Sequence, residues 1–595
     1  LPMPRRIMGL LIAGGVALVN AMLLAFALVY GASESPGLAP PGAALPTATI
    51  TGVVIDASGP ISGATVRVQA SDRQTLTGED GSFALATIAA SKAVTVTAWA
   101  KGYYIGWRAV SPGAGPFTIT LNAHYLTDNH TYEWFSQDGV AGSQACGLCH
   151  GAYAEWQGDA HGQSARNPRF LSMYQGTDVH GNKSPAVAKN NLGVPLPPDL
   201  TKPYFGPGYK LDFVDRSGSC ATCHTPVAGK ISNAKNCSWS GCHGEATVQR
   251  ASQILDPNVS PVDLTGDAAE GISCEFCHKV GEVFLQRETK LPYPDLPGIL
   301  SLRLFRPTDG HDLFFGPLDD IARSDIEHPR DVYLPLMKES AFCAGCHYGV
   351  LGGVVVGDMA VKGGVLVYSS YEEWLNSPWS NPQSGKSCQE CHMPPVAGAE
   401  YVAFPEKGGV RRDSSQIHNH RMLGVTDQEF MRQAAQLTAT ATLKNGRLTV
   451  QVRVTNDKTG HHLPTDSPLR HVMLVVQAKG ADGKQLTLAS GPVLPAWAGE
   501  YAALPGRAFA KILQDEWSGE VPTGAIWRPV KVVTDTRLAA YATDESNYSF
   551  VTPTKRATVE VRLIYRRAFQ QLMEWKGWTD PDLVMGETRL TVQAR

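Results

Sequence analysis

Cysteine carries the chemistry of this chain. There are 12 cysteines in 595 residues, and every one falls into a pair that ends in histidine. Five pairs read CxxCH: Cys146, Cys149 and His150; Cys220, Cys223 and His224; Cys274, Cys277 and His278; Cys343, Cys346 and His347; Cys388, Cys391 and His392. The sixth, CSWSGCH, has a wider gap and contains Cys237, Cys242 and His243. Two thiols so spaced can add across the two vinyl groups of one haem, and the histidine after the second then falls under the ring to ligate iron. Disulfides and zinc ribbons also use paired cysteines, but neither needs a histidine at that place. With 17 His among 595 residues, chance puts one there about 3% of the time, so six in six is on the order of one in a billion. The spacing therefore predicts six covalently bound haem c groups with no cysteine left over. At the wide Cys237–Cys242 motif a disulfide beside a stray histidine remains the competing reading.

An iron that only carries electrons needs a second axial ligand, and eleven histidines are left once six of the 17 are assigned. They are His124, His130, His161, His180, His311, His328, His418, His420, His461, His462 and His471. His161, shortly after the first motif, is the leading candidate, whereas His180 in a polar loop and His471 on a strand read as structural. None of the 12 Met lies in a motif that demands ligation, and no CxxCK variant is present.

Around these motifs the chain changes character several times. Ile7 to Tyr30 is apolar except for Asn20 and follows Arg5 and Arg6; as a helix it would span roughly 36 Å, enough for a bilayer core, with the rest of the chain across the membrane. Residues 1–30 are expected to be an uncleaved anchor, because the apolar part of a cleaved signal usually runs only about 7–15 residues. Residues 31–46, rich in Ala, Gly, Ser and Pro, read as a linker. Residues 47–121 alternate in short β-rich runs, Thr49–Val54, Ala64–Gln69, Ser82–Leu85 and Ala93–Ala98, and predict a small antiparallel sandwich. All six haem motifs fall in residues 122–432, where short helices and loops would wrap porphyrins that supply buried apolar area themselves. Residues 433–595 alternate again and predict a second sandwich, in which Gly460 to Thr465 interrupts two strands with a loop carrying His461 and His462. The fold class expected is thus multidomain: transmembrane helix, β-sandwich, mainly α/coil hexahaem domain, and C-terminal β-sandwich.

Two family resemblances sharpen these expectations. GVVIDASGPISGATVRV, GEDGSFAL and VTVTAWAKGYY, with a signature at Gly59 to Val66, resemble the carboxypeptidase regulatory-like module. That resemblance implies a spacer or docking unit without catalytic residues. The stretches CGLCHGAYAEWQGDAHGQSARNPRF, GPGYKLDF, GISCEFCHKV, GHDLFFGP, FCAGCH and SCQECHMP resemble the multihaem cytochrome c family that joins a bis-His haem array to a C-terminal β-sandwich. It implies distal ligation by His161, by His420 in an HxxxG element in preference to His418, and by His461 of GHxLPT in preference to His462. His130, His311 and His328 complete the expected ligand set. The wide CSWSGCH motif departs from the family's commonest spacing.

With 52 Lys and Arg against 55 Asp and Glu, a net charge of -3 excludes a strongly basic nucleic-acid-binding chain. The expectation is an electron carrier rather than an enzyme, anchored in the cell membrane by its N-terminal helix, with the soluble part on the periplasmic or extracellular side. Its partners would be redox proteins or a larger membrane complex. Two alternatives stand beside it: a multihaem oxidoreductase with one open haem acting on a small nitrogen or sulfur compound, and a subunit of an extracellular cytochrome filament.

Overall fold

The computed structural model describes residues 47–594 except 90–92, 112, 130–131, 133, 192, 215–219, 227–263, 265–268, 295, 309–311, 323–329, 353, 357–358 and 363. The expected anchor and linker, the Cys237–His243 motif, and His130, His311 and His328 lie outside the described residues. Among the described residues no helix is long and apolar enough to cross a membrane.

Alternation of apolar and polar residues near the N-terminus builds two facing sheets. One joins Thr47–Asp56 to Gly59–Pro60, Ser82–Ala89 and Phe117–Thr120; the other runs in the order Gln74–Leu76, Thr65–Val68, Val94–Trp99, Gly106–Val110. Ile50, Val54, Val66, Val96, Ala98 and Ile119 are buried between them. The sandwich is not wholly antiparallel as expected: Phe117–Thr120 pairs parallel to Thr47–Asp56. The crossover from Gly106–Val110 in the opposite sheet delivers this last strand in the same direction as the first, a topology that alternation alone does not encode.

The C-terminal region is a larger sandwich. One sheet has the order Gln436–Lys444, Arg447–Thr455, Thr543–Val551, Thr487–Ser490, and the other Gly506–Phe509, His471–Gly480, Arg556–Arg566, Leu583–Gln593. Leu448, Val450, Val452 and Val454 meet Val472, Leu474, Val476, Val559 and Val561 in one core cluster. The strand His471–Gly480 is buried on both faces, because Met473 and Val475 on its outer side pack against Leu494 and Ala498. His471 therefore sits on a central covered strand, in contact with Trp497 at 4.5 Å between ring centroids.

Between the sandwiches the chain forms short helices, two-stranded ribbons and loops. The longest described helix there, Pro168–Gln175, has 8 residues, too few to be stable without tertiary packing. Ion pairs tie the three regions together. Asp320, in the central region, accepts the Ala70 amide of the first sandwich at 2.7 Å and pairs with buried Arg412 at 2.9 Å. Arg528 of the last region pairs with Asp212 and Asp515, each at 2.7 Å, with all three side chains buried.

Candidate metal centres

Each described CxxCH motif is a single helical turn. The two cysteines, three residues apart, share one face of that turn and the histidine closes it. Three of the turns are Ala221–His224, Cys274–Lys279 and Cys388–His392, and a fourth is Ala344–His347, which follows the 3-10 turn Ser340–Cys343. Cys146 lies on Ser143–Gly147, with Cys149 and His150 just beyond. Short helices need caps to hold their first turn, and here serine supplies them: Ser273 accepts the Phe276 amide, and Ser387 forms a capping box with Glu390.

The motifs are then joined in pairs by one recurring device. Ser143, three residues before Cys146, accepts the amide of Cys274 at 3.0 Å; Ser340, three residues before Cys343, accepts the amide of Cys388 at 2.9 Å. Both serines are buried, at 1% and 2% exposure, so each bond is a fixed joint. In the same two pairs the thiols touch: Cys146 hydrogen-bonds Cys274 and Cys343 hydrogen-bonds Cys388. A third contact links Cys223 to Cys346. No disulfide joins the ten cysteines among the described residues.

The histidines show a second regularity. Nδ1 of His150 lies 3.1 Å from Val402 O, that of His278 2.6 Å from Phe315 O, and that of His392 2.5 Å from Leu423 O. His347 Nδ1 instead meets the carboxylate of Asp466 at 3.1 Å. Engaging Nδ1 as donor fixes the tautomer and orientation in which Nε2 can bind a metal. Exclusion of water pushes the pKa of His278 and His392 down to about 4, which keeps both imidazoles neutral, and does the same for His224. At His347 burial is the largest single influence and acts downward, but the hydrogen bond and charge of Asp466 together with nearby thiols outweigh it and the pKa is raised. His224 differs in its packing: its ring stacks on Phe170 at 4.0 Å, and its Nδ1 has no hydrogen-bond partner among the described residues.

Two further histidines lie close to motif histidines. The rings of His161 and His347 have centroids 6.2 Å apart, and those of His392 and His461 lie 6.3 Å apart with an 18° angle between planes. Two imidazoles bound through Nε2 at about 2 Å on opposite sides of one metal, each nitrogen about 1 Å from its ring centre, put the centroids about 6 Å apart. Both pairs have that spacing. Their Nδ1 atoms are held as well, His161 by Asp159 at 2.8 Å and His461 by the His462 carbonyl at 2.9 Å. The donor set at each centre fits a haem c: paired thiols on one turn, a motif histidine beside them, neutral at His392, and a second histidine at axial-pair spacing.

The remaining candidates separate. His420 lies within electrostatic reach of His150 and His278, and its Nδ1 is 3.2 Å from His418 O. His418 itself bonds Met393 O at 2.7 Å. His462 turns away, toward Glu373 at 3.5 Å. His180 is exposed, and neither ring nitrogen of buried His471 has a partner among the described residues. Sequence reasoning passed over His124, whose Nδ1 meets Tyr125 O at 2.7 Å among the ring edges of Tyr104, Phe305 and Phe315. It also passed over Ser143, Ser340, Asp159 and Asp466. A serine three residues before the first cysteine, in SQACGLCH and SAFCAGCH, was the available signal for the first two. Asp159 stood in the DAH triplet, and Asp466 carried no local signal.

Comparison with known proteins adds one family. Residues 49–123 match the carboxypeptidase regulatory-like domain, in agreement with the resemblance of the first sandwich. Among solved structures, a penta-heme cytochrome c552 from Thermochromatium tepidum superposes with a TM-score of 0.49 at 19% identity, covering 76% of this chain and 98% of that one. A PapD-like domain of human CEP192 gives 0.12 at 8% identity, covering 27% of this chain and 86% of that one. No curated protein matches. At these identities and scores nothing about haem number or activity passes from those structures to this chain.

Proposed function

We propose that this chain is a membrane-anchored hexahaem c-type cytochrome that transfers electrons outside the cytoplasm along a row of closely spaced haems. The observation that carries this reading is the contact between motifs: where thiols of two motifs touch, haems attached to them would be held close together. Contacts from Cys223 to Cys346 and from Cys343 to Cys388 put three motifs in a row, and the Cys146 to Cys274 contact makes a pair. Cys277, within electrostatic reach of Cys343 and Cys346, joins the pair to the row.

In this reading Cys146, Cys149, Cys220, Cys223, Cys237, Cys242, Cys274, Cys277, Cys343, Cys346, Cys388 and Cys391 hold the haems. His150, His224, His243, His278, His347 and His392 are the proximal ligands. His161 stands opposite His347 and His461 opposite His392. His420 serves the Cys146–Cys274 pair, while His130, His311 and His328 come from the sequence alone. Haem supplies reversible one-electron chemistry when bound. The chain's own residues fix spacing through the Ser143 and Ser340 joints, orient His150, His278, His347 and His392 through Nδ1 and keep His278 and His392 neutral. The first sandwich acts as a spacer that sets the array off from the membrane, and the partners are redox proteins or a larger membrane complex.

Mass spectrometry of the denatured protein tests the count: six haem additions are expected, and five would withdraw the assignment at Cys237 and Cys242. N-terminal sequencing of the same sample tests the anchor, which a start beyond Tyr30 would retire.

A further inference from the structure

Among the described residues, every engaged histidine of the candidate centres has a neutral carbonyl at Nδ1 except two, and those two lie beside each other. His347 meets Asp466 at 3.1 Å and His161 meets Asp159 at 2.8 Å, with the two rings 6.2 Å apart. His150, His278, His392, His418, His420, His461 and His124 all meet backbone oxygens.

Both carboxylates are buried and immobilised. Asp466 is 8% exposed, and its Oδ1 accepts the amides of Ser369 at 3.2 Å and Ser370 at 3.0 Å while Oδ2 faces the imidazole. Asp159 is 6% exposed, and its Oδ1 accepts the His161 amide at 2.8 Å as well as facing the ring. An Asx turn alone would explain the amide bond but not the ring bond. The triplet Asp178-Val179-His180 makes the comparison: the Asp178 carboxylate takes the His180 amide at 2.9 Å, yet its other oxygen goes to Asn182.

We propose that Asp159 and Asp466 are paired positioning residues that make the haem on Cys343 and Cys346 the most reducing of the array. The inference rests on the haem reading above. A carboxylate hydrogen-bonded to a ligating histidine raises the basicity of the imidazole, and the added negative charge favours the ferric over the ferrous state, an effect that grows where water is excluded. Two carboxylates act on this one iron, and among the described residues none meets the imidazoles of its neighbour between His392 and His461. Arg470, close to Asp466, offsets part of that charge but donates nothing to the imidazole.

The Cys343–Cys346 site also touches two other motifs, through Cys388 and Cys223. The lowest potential thus falls at the middle of the row, as a step that electrons cross between two easier sites.

The test is a spectroelectrochemical titration of the full haem-loaded protein against its Asp466→Asn, Asp159→Asn and double variants. The lowest one-electron component is expected to rise in each single variant by about tenfold in its reduction equilibrium, which is about 59 mV for one electron, and further in the double variant. The other components and the Asp178→Asn control should stay in place. A lowest component that does not move in either single variant, or a uniform shift of all components, overturns the proposal. Should Asp466→Asn fail to fold, Asp159→Asn decides alone. If the unaltered chain carries no covalent haem, this inference falls together with the haem reading; if it carries haem and the lowest component stays put, only this inference falls.

Discussion

The C-terminal sandwich and the central region solve the same problem of burial in opposite ways. In the sandwich, strands of 9 to 11 residues pair in long registers, with one irregularity between Leu563 and Ile564, and one large cluster runs from Leu443 through Val476 to Met585. In the central region the apolar residues fall into small separate groups, such as Phe276 with Val280, Ile299, Leu302 and Leu304, or Ala344 with Tyr348 and Tyr371. Motif cysteines pack against such groups, Cys277 against the first of these and Cys220 against the one around Tyr174 and Tyr209. Helices of four to eight residues cannot hold themselves, so this region is organised by joints: serine to cysteine amide, histidine to carbonyl, arginine to aspartate. The sandwich carries its own core, and in the reading proposed above haems would complete one for the central region.

The strongest way to break the comparison is to make the chain without haem. Limited proteolysis of such protein should leave a resistant fragment covering about residues 433–595 while residues between the sandwiches are cut, whereas the haem-loaded chain should resist throughout. Survival of the central region without haem would show that its small clusters suffice.

Next in size is the joint between the two regions. Replacing Arg528 with Ala leaves Asp212 and Asp515 buried without their cation, which should cost about 3–5 kcal/mol in denaturant unfolding. The same replacement should leave the haem count unchanged, since among the described residues Asp212 and Asp515 hydrogen-bond no motif side chain. A loss below about 1 kcal/mol would mean that the pair is solvated like a surface bridge.

The smallest effect in stability sharpens the assignment of ligands. His461→Ala should convert one iron of the array to a high-spin, carbon-monoxide-binding state and change little else, because His461 projects from a loop. His180→Ala, on an exposed residue, should change neither the spectrum nor stability. An unaltered protein that already binds stoichiometric carbon monoxide would favour the oxidoreductase alternative.

Local features were legible because their physics is local. The CxxCH spacing is a property of one helical turn, so the attachment residues could be named from Cys146 to His392 before any fold was known. Period-two alternation placed Val94–Trp99 within a residue of the expected Ala93–Ala98, since half-buried strands reveal their buried face. The HHLPT loop could be singled out because two histidines between strands have no use in a core.

What only the tertiary structure decided is everything that joins distant segments. His347 meets Asp466 across 119 positions and Cys388 meets Ser340 across 48, and no spacing rule reaches so far. The central burial of His471–Gly480 depended on the segment containing Leu494 and Ala498 covering its second face. The parallel return of Phe117–Thr120 depended on the path of the connection before it. Sequence by itself determined which residues can hold haem, because that chemistry fits within one turn. The tertiary structure determined which histidine faces which and which carboxylate stands behind it, because those relations arise only when separate turns pack together.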